Sequence, residues 1–139
     1  MSKPAIDHIG VIVAALDQAL ALMKLLFKAA PAYVKDLPEV GLKVAAIETA
    51  NVTIELLQYC SGGDSAFARQ VMGAAPGLNH ISARVDNLEA AMAELAEAGF
   101  AIQPGFPRQG AHGRVAFYQP DAATGLLFEI CQPDKDVAP

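Results

Sequence analysis

Of Asp7-His8-Ile9-Gly10-Val11-Ile12-Val13, the residues His8, Ile9 and Val13 return 72 places later as His80, Ile81 and Val85 in Asn79-His80-Ile81-Ser82-Ala83-Arg84-Val85. The same shift lays Leu16-Asp17 on Leu88-Glu89 and Ala19-Leu20 on Ala91-Met92. A repeat this long marks a duplicated supersecondary unit, and it constrains the fold before any side-chain chemistry is considered. In both copies an alternating strand, 6–13 and 78–85, runs into a helical pattern, Leu16 to Phe27 and Leu88 to Ala98. Asp86 with Glu89 three places on suits the start of the second helix, and Gly99 suits its stop.

Apolar, β-branched segments separated by turn residues follow each helix, at about 32–36, 42–49 and 52–59, then 100–103, 114–119 and 126–132. Each half therefore reads βαβββ, an α+β plan. The expected organisation is one domain over 1–139, with a module at 5–60, a linker at 61–76 and a module at 77–132. The linker is rich in Gly and Pro, with room for one short helix from Ser65 to Met72. Pro133 to Pro139 is polar and is expected to fray.

With 139 residues the chain is long enough to bury a substantial core. It is 53% hydrophobic, yet no run approaches the roughly 20 apolar residues of a membrane span. Met1 to Ala5 carries no basic-then-apolar leader pattern, so a soluble, cytoplasmic protein is expected. Scattered Lys and Arg under a net charge of −5 give no footprint for nucleic acid, which leaves a small molecule as the expected ligand. Cys60 and Cys131 lack metal-type spacing and read as small buried apolar side chains.

Alternate strand residues point to opposite faces, and this period separates chemistry from packing. Ile9, Val11 and Val13 share one face, leaving His8 with Gly10; Ile81, Ala83 and Val85 share another, leaving His80 with Ser82 and Arg84. In the last strand of each half, Ile54 and Leu56 flank Glu55, and Phe128 and Ile130 flank Glu129. A lone strand His is usually a hydrogen-bonded core residue and a lone strand Glu is usually solvated. Duplication of both, at matching places, favours a pseudo-twofold metal site of His8, Glu55, His80 and Glu129. Imidazole and carboxylate ligands suit zinc, manganese, iron, cobalt or nickel, and four of them on an octahedral ion leave two positions for a chelating substrate.

Ile6-Asp7-His8-Ile9-Gly10, Thr53-Ile54-Glu55-Leu56-Leu57, Gly77-Leu78-Asn79-His80-Ile81, Gly110-Ala111-His112-Gly113 and Gly125-Leu126-Leu127-Phe128-Glu129-Ile130 together carry a family likeness. In order, over residues 5 to 132, they resemble the methylmalonyl-CoA epimerases of the vicinal-oxygen-chelate (glyoxalase/bleomycin resistance/dioxygenase) superfamily. The resemblance implies two βαβββ modules in a cupped, eight-stranded, barrel-like sheet with the helices outside. It also implies one divalent ion, cobalt or manganese favoured, at His8, Glu55, His80 and Glu129. The chain departs from the family pattern in having Asn79-His80 where two His are common and Gln119-Pro120-Asp121 where His-Pro-Lys is common. A second acid found in some epimerases falls near Val44 here.

The activity implied is epimerisation of methylmalonyl-CoA or a related 2-substituted acyl-CoA, by proton abstraction through a metal-stabilised enolate. Glu129 and Glu55 are the expected catalytic carboxylates, with Glu48 an outside candidate. His112, Gly113 and Arg114 are the expected substrate contacts, and Arg84 and Arg108 further candidates for an anion, although surface solvation is the ordinary fate of any one Arg. The rivals are a glyoxalase I-type lyase acting on a glutathione hemithioacetal and a non-enzymatic drug-sequestering protein. A sequestering cleft wants aromatic side chains, and this chain has no Trp and 6% aromatics. Leu16, Leu20, Leu22, Met23, Leu25, Leu26 and Phe27 put more apolar surface on the first helix than a small sheet covers, so a homodimer is expected.

Overall fold

The computed structural model describes residues 3–61 and 64–135. Its elements run β1 (Ile6–Ile12), α1 (Leu16–Phe27), β2 (Tyr33–Leu37), β3 (Leu42–Glu48), β4 (Thr53–Tyr59), α2 (Ala66–Met72), β5 (Gly77–Arg84), α3 (Leu88–Glu97), β6 (Arg108–Gln109), β7 (Gly113–Phe117) and β8 (Phe128–Pro133). The class is α+β, built from two βαβββ modules with four strands each. They fall into two compact units, His8–Asn79 in one and His80 onward, with the residues up to Asp7, in the other. None of the described helices is long and apolar enough to cross a membrane.

In the first unit the strand order is β2-β3-β4-β1, with β2, β3 and β4 antiparallel and β1 parallel to β4. A parallel partner demands a crossover, and α1 provides part of it. The helix packs Leu16, Leu20 and Met23 against Val11, Val13, Ala45, Ile47, Ile54 and Leu56. Val11, Val13, Ile54 and Leu56 belong to the apolar face read from the alternation, while Ile9, read with them, stays outside this core. Leu22, Leu25, Leu26 and Phe27, on the far side of α1, remain well exposed, Leu25 at 70% and Leu26 at 59%.

The second unit repeats the scheme in the order β5-β8-β7-β6, with β5 parallel to β8 and β7 antiparallel to both neighbours. Leu88, Met92 and Leu95 of α3 meet Ala83, Val85, Ala116, Tyr118, Phe128 and Ile130. Tyr118 stacks on Phe128, ring centroids 5.1 Å apart.

Three local expectations need correction. The N-cap of α3 is Asn87, whose side chain accepts from the Ala90 N–H at 2.9 Å, rather than Asp86. The strand expected at 100–103 shrinks to a single bridge between Ile102 and Tyr118. Pro104 and Pro107 bring no N–H to a ladder, and pairing resumes only at β6, where Arg108 faces Val115. Pro133 does not begin a frayed tail: it closes β8, and the Asp134 N–H donates to the His112 carbonyl at 2.9 Å. Residues 136–139 lie outside those described.

A second duplication lies beneath the one read from the sequence. The first N–H of α1, on Leu16, donates to Gln58 Oε1 at 2.6 Å, and the first N–H of α3, on Leu88, donates to Gln132 Oε1 at 2.8 Å. Each Gln stands three residues after a candidate ligand, as Glu55-Leu56-Leu57-Gln58 and Glu129-Ile130-Cys131-Gln132. An open helix N-terminus needs acceptors for its N–H groups, and here the glutamate-bearing strand supplies one. Helix and strand are thereby locked in register.

Candidate active site

Strand alternation sets His8 and Glu55 opposite the α1-facing residues of the first unit, and His80 and Glu129 opposite the α3-facing residues of the second. All four are buried. In the parallel ladder Gly10 is the partner of Glu55 and Ser82 the partner of Glu129, so each His lies two residues upstream on the neighbouring strand. That diagonal brings His8 Nε2 to 3.8 Å from Glu55 Oε2. It also brings a ring nitrogen of His80 within 4.8 Å of a Glu129 carboxylate oxygen. The His80 ring is held edge-on to Phe117, with centroids 4.8 Å apart.

A spacing of 3.8 Å is too long for a hydrogen bond. It does fall within the reach of two ligands each about 2.1 Å from a shared ion. Burying a carboxylate is costly without a positive partner, and a divalent cation supplies that charge. The donor set of each unit, one imidazole and one carboxylate, thus fits a borderline divalent metal.

The Gly110–Gly113 loop is held more firmly than a surface hairpin. His112 Nε2 lies 2.5 Å from Asp7 Oδ2, and Arg84 donates to Asp7 Oδ1 through Nε at 3.1 Å and Nη2 at 3.0 Å. The Asp7 carboxylate is fully buried, and Cys131 Sγ sits 3.8 Å from the same imidazole nitrogen. The Gly110 N–H donates to the Gly113 carbonyl at 2.7 Å. Gly113 is required here because a Cβ would stand 2.5 Å from the Gln132 carbonyl oxygen.

The remaining candidates are scattered. Arg114 extends from β7 and donates to Glu89 at 2.7 Å, and that hydrogen bond holds the exposed Glu89 carboxyl below its ordinary pKa. Arg84, a candidate anion contact, uses its guanidinium on Asp7, while Arg108 lies on β6. Glu48 ends β3 in an exposed position, and Val44, buried opposite Leu57, offers no acid. Cys60 and Cys131 are free thiols, Cys131 buried as expected but Cys60, just after β4, only half-buried against that expectation. Asn79 Nδ2 donates to the Met72 carbonyl at the end of α2. Asp121 accepts from the Thr124 N–H at 3.1 Å and Thr124 Oγ1 at 2.7 Å, closing a turn. Asp7, Gln58, Gln132 and Ser82 were not singled out from the sequence, although the repeated Glu-x-x-Gln was there to find.

Residues 7–118 match the model of the Glyoxalase/Bleomycin resistance protein/Dioxygenase superfamily. The chain is 33% identical to a mitochondrial methylmalonyl-CoA epimerase of Bos taurus, over 91% of this chain and 73% of that one. It is 32% identical to an ethylmalonyl-CoA/methylmalonyl-CoA epimerase of Cereibacter sphaeroides, over 91% and 96%. Among solved structures, a hypothetical protein of Bacillus halodurans, BH1468, superposes with a TM-score of 0.82 at 30% identity, covering 99% of this chain and all of that one. With a family match across most of its length, paired His and Glu in each module and near full-length similarity to two epimerases, the chain belongs to the Glyoxalase/Bleomycin resistance protein/Dioxygenase superfamily as a methylmalonyl-CoA epimerase-like member.

Proposed function

We propose that this protein is a metal-dependent epimerase of methylmalonyl-CoA or a closely related 2-substituted acyl-CoA, working in the cytoplasm. The observation that carries the reading is the repeated buried diagonal, His8 with Glu55 and His80 with Glu129. Similarity to the bovine and Cereibacter epimerases supports the substrate class. In this reading the four side chains hold one divalent ion per chain, cobalt or manganese favoured, with zinc, nickel and iron as alternatives. When bound, such an ion supplies Lewis-acid stabilisation of negative charge on carbonyl oxygens.

The protein's own groups do the proton work. Glu129 accepts the proton from the carbon between the two carbonyl groups, and Glu55, its counterpart in the repeat, serves the opposite face. Burial of both carboxylates keeps bulk water from competing for their lone pairs. The rest of the substrate lies along the Gly110–Gly113 loop, where the His112 ring and Arg114 provide polar contacts and Gly113 lets the loop close onto the Gln132 carbonyl. Arg114, 41% exposed and held by Glu89 on the α3 side of β7, exchanges that partner for an outlying anionic group of the ester, away from the His80–Glu129 face.

Incubation with methylmalonyl-CoA in heavy water tests the reaction. Deuterium is expected at the carbon between the carbonyls, because the carboxylate on the opposite face returns a hydron that it drew from solvent between turnovers, and a chelator is expected to abolish the signal. Conversion of a glutathione hemithioacetal without such exchange would establish the lyase instead. Tight binding of a large apolar ligand with neither reaction would establish the sequestering protein. Elemental analysis after reconstitution is expected to give about one ion per chain by the four-ligand count. His8→Ala and His80→Ala are each expected to weaken metal binding at least tenfold, the lower bound for disturbing even an outer partner of a ligand.

The same reading includes a homodimer, supported by the exposed Leu22, Leu25, Leu26 and Phe27 on α1. Light scattering at micromolar concentration is expected to return about twice the 14.5 kDa chain mass. Leu25→Glu with Leu26→Glu should return the single-chain mass. A wild-type mass equal to one chain would remove the dimer.

A further inference from the structure

Ser82 is fully buried on β5, and among the described residues its hydroxyl meets no hydrogen-bond partner. It stands between His80 and Arg84 on the strand face turned away from α3, and it is the ladder partner of Glu129. A hydroxyl with neither solvent nor partner weakens the fold that contains it. A small apolar residue would suit the β5 fold better, as the buried Cys131 does on the adjacent strand. The first module has Gly10 at the matching position, partner to Glu55, with no side-chain donor at all. The hydroxyl therefore breaks the repeat at the place beside a candidate proton-transfer carboxylate.

We propose that Ser82 is a substrate-binding residue, its hydroxyl donating a hydrogen bond to a carboxylate or carbonyl oxygen of the bound acyl ester beside His80 and Glu129. The proposal rests on the epimerase reading for its substrate class. The physical case is that a donor left unpaired by the protein is satisfied by the ligand, so its cost in the empty protein becomes affinity in the complex. One hydroxyl in one module also gives the two ends of a dicarbonyl substrate different surroundings. Substrate orientation is then chosen by Ser82 rather than left to the repeat.

Ser82→Ala tests this with two readouts of opposite sign. The metal-free variant is expected to melt at the wild-type temperature or above it, since a partnerless polar group is removed. Its kcat/KM for methylmalonyl-CoA epimerisation is expected to fall about ten- to a hundredfold, the range for a hydrogen bond to a charged group. Ser82→Cys, close in size and a weak donor, should fall with it. A lower melting temperature for Ser82→Ala, with kcat/KM unchanged, would assign the hydroxyl a structural partner and overturn the proposal. Malonate binding to manganese-loaded protein, measured by calorimetry, separates Ser82 from the epimerase reading. If the wild type fails to turn over methylmalonyl-CoA yet binds malonate about tenfold more tightly than Ser82→Ala, the epimerase falls and Ser82 stands. Equal malonate affinity in the two proteins, or no binding to the wild type, overturns the Ser82 proposal.

Discussion

Glu129→Gln is expected to slow deuterium exchange into methylmalonyl-CoA by about 10²- to 10⁴-fold, the usual contribution of a positioned general base. The substitution preserves shape and one ligating oxygen but removes the charge and the lone pairs that accept a proton. Metal content in metal-saturated protein is expected to stay near wild type, because the amide oxygen still ligates beside His8, Glu55 and His80. Folding should change little, since β8 keeps its ladder to β5 and β7 and Gln132 keeps its bond to the Leu88 N–H. Glu55→Gln is the matched control on the other module. If both carboxylates move protons, the two variants lose exchange from opposite epimers, which following each purified epimer by proton resonance would separate. Exchange within about twofold of wild type in metal-loaded Glu129→Gln would place the base elsewhere.

The repeat made most of the fold legible. Seven positions matched at a fixed distance placed β1 with β5 and α1 with α3, and strict alternation assigned the helix-facing residues, of which Val11, Val13, Ala83 and Val85 pack as read while Ile9 stays outside the core and Ile81 is exposed. Alternation also carried the diagonal of His and Glu, because register in a parallel ladder follows once the faces are known. What failed had weak local signals. Segment 100–103 has strand composition, but Pro104 and Pro107 cut its ladder short, and tertiary pairing of Gln103 with Phe117 and Tyr118 replaced it. Asp86 and Asn87 are both good caps, and only backbone geometry chose between them. The Asp7–Arg84–His112 group lay beyond reach for a different reason. Its members are 77 and 105 residues apart, and alternation offers no rule for a charge that is fully enclosed. Asp7 sits beside His8 in the most suggestive stretch of the chain, where a ligand draws attention and its neighbour reads as an ordinary polar residue.

That neighbour carries the largest expected effect on stability. Asp7→Ala is expected to lower stability by about 3–5 kcal/mol, the usual result of removing one member of a buried ion pair. For a chain of this length the melting temperature would fall by roughly 10–20 °C. The size follows from what is left behind. The Asp7 side chain is fully enclosed, Arg84 is 27% exposed and His112 11%, so truncation strands a guanidinium and an imidazole with little water to replace the carboxylate. The partial exposure of Arg84 moves the expectation toward the lower end, because water reaches part of its charge. Asp7→Asn retains one acceptor oxygen and should cost less than Asp7→Ala. In the double variant Asp7→Ala with Arg84→Ala, the stranded guanidinium is gone, so its total cost should be well below the sum of the two single costs. Amide exchange at residues 110–113 should quicken in Asp7→Ala more than in the α3–β8 core, since His112 is the side-chain tie between that loop and Asp7. A loss under about 1 kcal/mol, with exchange in the loop unchanged, would mean that the ion pair contributes nothing to the fold.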